Sequence, residues 1–411
     1  MIKHYDLIVI GAGAAGMIAA IRASRDNKRV LLLEKLSKVG AKLKATGGGR
    51  CNLTNTQEAQ EFMSKFGRDG RFMQDALRVF DHKKLMEFFK DIGVRTHAPD
   101  GFRVFPTSHS SSTIISSLIE EMQRLGVEIL CSQKVTKLQS SDGIICGVET
   151  SSHSFKTSNV ILATGGMGYP MLGATGDGYS LASDLGHTYS DLYPAMMPLH
   201  TKESWVKNCR ADTIAKVELR VDMKKYKKLK AKGDLIFTNT GIRGPVVLDF
   251  AREITPLISK YKEVPILANL TKGMNEDEIL KHIKDEASKD PDLSVLQIVK
   301  TLLPDPLSRE ICLLASIKED AKLKEISGKQ KEKLIQTLAS TPLTVIGHDG
   351  FERAMITRGG ISLKEIDPKS MQSKLVKGLY FCGEVMNLDG PCGGYNLQWS
   401  FASGYLAGNL S

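Results

Sequence analysis

The 411-residue sequence predicts an α/β fold, a Rossmann-like parallel-sheet domain built from both ends of the chain with a second region inserted into it. Three observations predict it. Residues 6–34 hold a complete β-α-β unit with a glycine fingerprint at its first turn. From about Leu192 the texture changes, first to short β-like segments and then to charged and apolar residues at helical spacing. Near Val345 the glycine-rich texture returns and runs to the C-terminus. The first domain therefore reads as 1–191 plus 343–411, and the insert as β-rich over 192–274 and helical over 275–342.

Asp6–Ile10 is continuous, branched and apolar, the pattern of a parallel strand buried on both faces. Gly11-Ala12-Gly13-Ala14-Ala15-Gly16 follows, then a helix over Met17–Ser24 and a strand over Arg29–Glu34. Gly11 suits a tight turn, Gly13 lets backbone approach a pyrophosphate, and Gly16 lets helix and strand pack closely. Ala14 and Ala15 open the helix, whose N-terminus offers free N–H groups and a positive dipole end to phosphates. Glu34, with Lys35 beside it, ends the second strand where a carboxylate takes ribose hydroxyls and disfavours a 2′-phosphate.

Helices are expected over Asp75–Asp91 and Thr113–Leu125, and strands within Val127–Leu138, Ile144–Thr150 and Asn159–Ala163. The segments after Gly126 read as a β-meander beside the parallel sheet, and another helix starts after Thr175-Gly176-Asp177-Gly178. In the insert, Val217–Met223, Asp234–Phe237 and Val264–Asn269 read as strands. Glu276–Asp285, Leu293–Leu302 and Lys329–Leu338 read as helices. Leu379–Glu384 is the last expected strand, and Tyr395 to about Ala407 the last helix.

Composition excludes several classes. The chain is 42% hydrophobic and 25% charged, enough to bury a core without disulfide staples. Mean hydropathy is −0.15, and no apolar run approaches the ~20 residues of a membrane span. Met1-Ile2-Lys3-His4-Tyr5 leads straight into the first strand with no signal-peptide pattern. Seven cysteines without a C-x-x-C pair read as free thiols of a reducing, cytoplasmic protein. The nine histidines form no His-x-x-x-His pair, so no metal site is expected.

The fingerprint alone does not separate FAD from NAD; other segments favour FAD. Thr46-Gly47-Gly48-Gly49-Arg50-Cys51-Asn52 permits close backbone approach along a flavin edge. Cys51 in it reads as a small packing residue, because no second cysteine stands a few residues away. Ala163-Thr164-Gly165-Gly166 ends a strand and brings backbone toward the pyrophosphate or the ring. Gly383-Glu384 ends another strand and suits a carboxylate on the ribityl chain. Asp389-Gly390-Pro391-Cys392-Gly393-Gly394 precedes a helix whose dipole would stabilise negative charge at flavin N1 and C2=O. No second strand–G-x-G-x-x-G–helix unit exists, so NAD(P)H, if it is the electron donor, would dock transiently over the flavin.

Together these segments resemble a bacterial flavoprotein family labelled aminoacetone oxidase, BaiN-like or YhiN-like, and more distantly the fumarate reductase flavoproteins. The most specific stretch is Gly383-Glu384, Leu388-Asp389-Gly390 and Gly393-Gly394-Tyr395-Asn396-Leu397-Gln398-Trp399. The resemblance implies FAD in the Rossmann-like domain, an inserted β-barrel and a small helical part. It also implies a backbone contact to adenine near Val135, with Arg50, Asn52, Glu384, Asn396, Leu397 and Gln398 along the ribityl chain and flavin. Asn239 and Arg243 stand where such proteins usually carry His and Ser.

The expected chemistry is hydride transfer at flavin N5 to or from a small amine or enoate. A YhiN-like relationship implies instead a reductase forming dihydrouridine in ribosomal RNA. A third reading is a flavin-bound, RNA-associated factor without turnover. The candidate catalytic groups are His109 and His348, acid/base groups near expected cofactor segments, and Arg103 and Arg353, which could face an anionic substrate. The formal net charge is +10, and Lys224, Lys225, Lys227, Lys228, Lys230 and Lys232 concentrate part of it. Such a run is either a solvated face or a landing site for a polyanion. The expected partners are thus a small molecule or ribosomal RNA, and no membrane.

Overall fold

Leu7–Ile10 and Val30–Leu33 are buried at every position and pair in parallel, as their unbroken apolar character requires. In the computed structural model, which describes residues 4–410, they lie inside a five-stranded parallel sheet. Its order is 379–381, 160–162, 7–10, 30–33 and 128–130. The C-terminal strand Leu379–Phe381 is thus an edge of a sheet begun by the first residues. Met1–Lys3, read as the lead into the first strand, lie outside the described residues. Val135–Ser141, Ile144–Thr150 and Ser154–Lys156 form a separate antiparallel three-stranded sheet, the expected meander.

Two helices converge on the fingerprint. Ala14–Arg25 packs against Tyr395–Ala407 through small residues: a Cβ at Gly404 would fall 2.3 Å from the Ala15 carbonyl oxygen. This close crossing carries the C-terminal glycine segment to the N-terminal one. The expected helix Asp75–Asp91 is broken, with helical segments at Gln74–Val79 and His82–Asp91. The Asp81 side chain caps the second by accepting from the Lys84 amide at 2.9 Å.

The second compact unit is Pro194–Met355; the first comprises the chain up to Tyr193 and from Ile356 onward. Within the second, six strands close a barrel in the order 199–201, 241–243, 230–237, 213–221, 264–269 and 341–348. The break expected at 343 falls inside the last of these strands. Thr341–His348 pairs with Val264–Asn269 and Leu199–Thr201, so residues 343–355 belong to the barrel unit and not to the cofactor domain. The glycine-rich texture near Val345 marks a strand and turn, not the return to the first sheet.

The insert also departs from a β-rich reading of 192–274, because Pro245–Tyr261 is a 17-residue helix. Val246, Val247, Phe250, Ile254, Leu257 and Ile258 recur at helical spacing on its buried face, while Pro256 in its interior obscures the pattern. The helical part fits better. Glu276–Lys289, Val295–Val299 and Gly328–Ala339 each begin with a capping box, from Asn275/Glu278, Ser294/Gln297 and Ser327/Gln330. Asp305–Leu314 is a further helix that the sequence reading lacked. Among the described residues no helix is long and apolar enough to cross a membrane.

One buried histidine links segments of the first unit. His187 is enclosed, with Nδ1 3.1 Å from Glu365 Oε2 and Nε2 2.8 Å from Ser373 Oγ. Burial holds its imidazole below the ordinary value of 6.5, although Glu365 opposes this. The unfolded chain then binds this proton more readily than the folded one. The His187 contribution to stability is complete above pH 6.5 and is lost as pH falls below it. Urea midpoints are expected to drop between pH 7 and pH 5.5, and His187→Gln to flatten that drop.

Candidate cofactor site

The fingerprint glycines are demanded by different things. Gly11 has φ +101°, and a Cβ there would lie 2.5 Å from the Ala163 carbonyl oxygen, so the turn and the neighbouring strand end both require glycine. At Gly16 a Cβ would lie 1.9 Å from the Gly11 carbonyl oxygen, which is the helix-to-turn packing expected of this position. Gly13 differs. Its φ of −82° and ψ of −171° suit any residue, and a Cβ would meet nothing within 4 Å. Neither packing nor backbone conformation requires glycine at 13, so the open space beside it fits close approach of a phosphate. A Cβ at Gly48, Gly49 or Gly165 would likewise meet nothing within 4 Å, although their positive φ also favours glycine. Thr164 Oγ1, next to Gly165 in the chain, is buried and has no protein partner. The residues present therefore fit a dinucleotide laid along this edge.

Glu34 is held by the turn it serves: Oε2 accepts from the Ala12 amide and Oε1 from the Leu36 amide, each at 2.9 Å. Gly11, Glu34, Lys35, Val135 and Thr164 line one pocket, so the adenosine-side residues expected from distant sequence positions come together. Asp177 opens the next helix and lies 2.5 Å from Lys35 Nζ and 3.1 Å from Lys134 Nζ. Burial opposes its ionisation, but hydrogen bonds from the two ammonium groups and Thr175 outweigh it and keep the carboxyl below its usual range. Ala14 and Ala15 are buried at the start of the first helix, and a Cβ at Gly383 would touch Ala15 Cβ at 3.0 Å.

The second glycine segment is tied to the C-terminal one. With its amide oriented to satisfy both ends, Asn52 donates to the Thr54 and Val104 carbonyls and accepts from the Gly394 amide at 3.0 Å. Asn55 Nδ2 donates to the Gly393 carbonyl at 2.9 Å. Gly394 has φ +86°, and a Cβ would lie 2.5 Å from Thr54 backbone, so this junction takes only glycine. Asn396 braces the preceding loop, accepting from the Gly390 amide at 2.7 Å and donating to its carbonyl at 2.8 Å. Asp389 lies 3.8 Å from Arg358. Leu397 is half-buried. Gln398 is only 1% exposed and donates to the Phe80 carbonyl, which places it in the protein interior. Cys51 is fully buried, and burial pushes its thiol up to about 12, against a hydrogen bond with Thr46. Such full burial fits a packing role for Cys51.

Glu384 is the centre of a third node. Oε1 accepts from the Thr357 amide at 2.9 Å and Oε2 takes Lys42 Nζ at 2.8 Å. Thr357 Oγ1 in turn accepts from the Met167 amide at 2.7 Å, beside Gly166. Lys42, Asn55 and Thr357 were not singled out in the sequence. Lys42 and Asn55 flank the glycine segment, and Thr357 opens the Thr357–Ile361 stretch that carries part of the family resemblance, so each had a signal in the sequence.

The catalytic candidates divide. Arg50 and Arg103 both lie over the Phe105 ring, at 5.4 and 6.0 Å, and the His109 ring is 5.9 Å from it. Arg103 also pairs with Asp100 at 2.6 Å. His97, 4.7 Å from the His109 ring, keeps a buried Nε2 without a partner. His348 and Arg353 belong to the barrel unit. There His348 Nδ1 accepts from the Gly350 amide at 3.0 Å, and the neighbouring Asp349 pairs with His200 at 2.7 Å.

A single Rossmann-type cradle, extended by glycine strips contributed from both ends of the chain, defines a flavoprotein oxidoreductase. The chain belongs to the HI0933-like family, whose Rossmann-domain model matches residues 5–410, and is an FAD-dependent oxidoreductase. It is 32% identical over 407 residues to a 3-dehydro-bile acid delta(4,6)-reductase of Clostridium scindens, covering 98% of each chain. It is 28% identical over 411 residues to a ribosomal RNA dihydrouridine synthase of Haemophilus influenzae, again covering 98% of each. A solved 3-ketosteroid-delta4-(5alpha)-dehydrogenase from Rhodococcus jostii RHA1 shares the fold at TM-score 0.52 and 16% identity. That match covers 99% of this chain and 96% of the other.

Proposed function

We propose that the protein reduces a carbon–carbon double bond conjugated to a carbonyl. One observation carries this reading. Relatives named for a steroid with double bonds beside a 3-oxo group and for the uracil of ribosomal RNA both align with 98% of the chain. Steroid and nucleobase share little except that bond, whose far carbon accepts hydride. This favours the enoate side of the expected substrate range over the amine side.

FAD bound in the cradle and reduced by an external donor would supply hydride from N5 and return to its oxidised form. Glu34, Lys35 and the Val135 backbone hold its adenosine half, Gly13 admits the pyrophosphate, and Glu384 and Asn52 orient the remainder. Arg50, over Phe105 beside the glycine segment, would face the substrate carbonyl and stabilise the charge that grows there. With one fingerprint in the chain, NAD(P)H would reach the flavin by transient docking.

The test is anaerobic mixing of photoreduced, FAD-loaded protein with cyclohexenone, a 4-en-3-oxo steroid and their saturated ketones. Oxidised-flavin absorbance is expected to return with a conjugated acceptor and not with a saturated one. No return with either, or bleaching of the oxidised protein by primary amines, would sink the proposal. A second reading, uracil in ribosomal RNA as the acceptor, is favoured by the lysine run of the barrel unit. On it, nucleoside mass spectrometry should find a dihydrouridine missing from the ribosomal RNA of cells lacking the gene. An unchanged profile would remove that reading and leave the first.

A further inference from the structure

We propose that the barrel unit carries an RNA-docking face on the hairpin joining Thr213–Val221 to Lys230–Phe237. Lys224, Lys225, Lys227, Lys228, Lys230 and Lys232 are all exposed on it. No acidic residue interrupts the sequence between Met223 and Gly233. None of the six ammonium groups lies within 4.0 Å of a carboxylate among the described residues. Other lysines of the same unit do find such partners: Lys202 pairs with Glu263, Lys289 with Glu286, Lys300 with Asp305 and Lys322 with Asp292. The face therefore concentrates positive charge, with Glu218, opposite Lys232, the one acidic residue in register with the run. Arg220, on the opposite strand, is in register with Lys230 and extends it.

The neighbouring aromatic group points to the kind of polyanion. Tyr226, within the run, lies 3.2 Å hydroxyl to hydroxyl from Tyr261, which is exposed at the end of the helix Pro245–Tyr261. The Lys225 and Lys260 ammonium groups lie 5.6 and 5.3 Å from the centres of these two rings. Lysines act as point charges toward phosphates without reading sequence, and an exposed ring beside them gives an unpaired base a surface to stack on. An anionic membrane would also attract lysines, but it needs apolar side chains turned outward. Here Met223, Tyr226 and Leu229 pack partly against the barrel's own core. The observations favour RNA. This inference extends the RNA reading above and is separable from it, because binding is measured without turnover.

The experiment uses the full FAD-loaded chain and a fluorescently labelled fragment of ribosomal RNA, with anisotropy followed across a salt series. Binding is expected to weaken steeply with salt. K224Q/K225Q/K227Q/K228Q should reduce the slope of log Kd against log salt by about 3, at roughly 0.7–0.9 per lost phosphate contact. Tyr261→Ala should weaken single-stranded RNA several-fold and leave that slope unchanged. Both variants should keep their flavin and their turnover on a small conjugated ketone, so failure of the docking face and failure of the proposed reaction read out separately. An unaltered slope in the quadruple variant, or tighter binding to phosphatidylglycerol vesicles than to RNA, would overturn the proposal.

Discussion

Gly13→Ala is expected to leave the flavin-free protein as stable as the wild type and to weaken FAD binding at least tenfold. The two halves of that result come from one geometry. The backbone at 13 is extended, and the added methyl meets no protein atom within 4 Å, so folding does not register it. A compatible Gly→Ala change can even stabilise by ~0.4–1 kcal/mol through the unfolded chain. The methyl instead occupies the space through which the pyrophosphate reaches the helix N-terminus, and a tenfold loss corresponds to about 1.4 kcal/mol. Gly16→Ala is the opposite case. Its methyl would sit 1.9 Å from the Gly11 carbonyl oxygen, a backbone atom that moves only with the whole turn. A cost of about 3 kcal/mol or more is expected, with poor solubility and no retained flavin. Urea melts of both apoproteins, with FAD titrations of whatever folds, check the pair. If Gly13→Ala bound FAD like the wild type, the fingerprint would not be the pyrophosphate site.

Glu384→Ala should lose both stability and cofactor. The side chain joins the Thr357 amide to Lys42, and all three are largely shielded from water. Its removal strands an N–H and an ammonium group, a loss of about 2–3 kcal/mol on urea melting. FAD affinity should fall roughly 10- to 100-fold if the same energy is lost on binding. Glu384→Gln still accepts from Thr357 but gives up the ion pair, and should recover most of the stability. Gly166→Ala attacks the node from the other side, because its methyl would fall 2.4 Å from Thr357 Oγ1 and 2.7 Å from Glu384 Oε1. Equal stability of all three variants with the wild type would mean that the node holds nothing in place.

What the sequence reveals here follows from how local each signal is. The fingerprint turn, both central strands and the last helix are read from adjacent residues, and the helix Tyr395–Ala407 keeps its expected limits. Lys42 with Glu384, and Asn55 with Gly393, are 342 and 338 residues apart, and only the assembled sheet brings them together. The barrel misled for different reasons. Pro256 hid a helix whose apolar spacing was intact, and the glycines near 347–350 looked like cofactor texture although they belong to a strand and turn of the barrel.

The edge position of Leu379–Phe381 has a consequence for biosynthesis. Its partner Val160–Leu162 emerges from the ribosome 219 residues earlier, since 381 − 162 = 219. At about 5–20 residues per second, translation leaves that parallel edge unpaired for roughly 10–40 s. In the same interval all of Pro194–Met355 is made and is free to close its barrel. Flavin capture then waits for the helix Tyr395–Ala407, which completes the cradle. During that interval the unpaired edge of Val160–Leu162 is a surface on which another chain could add a strand.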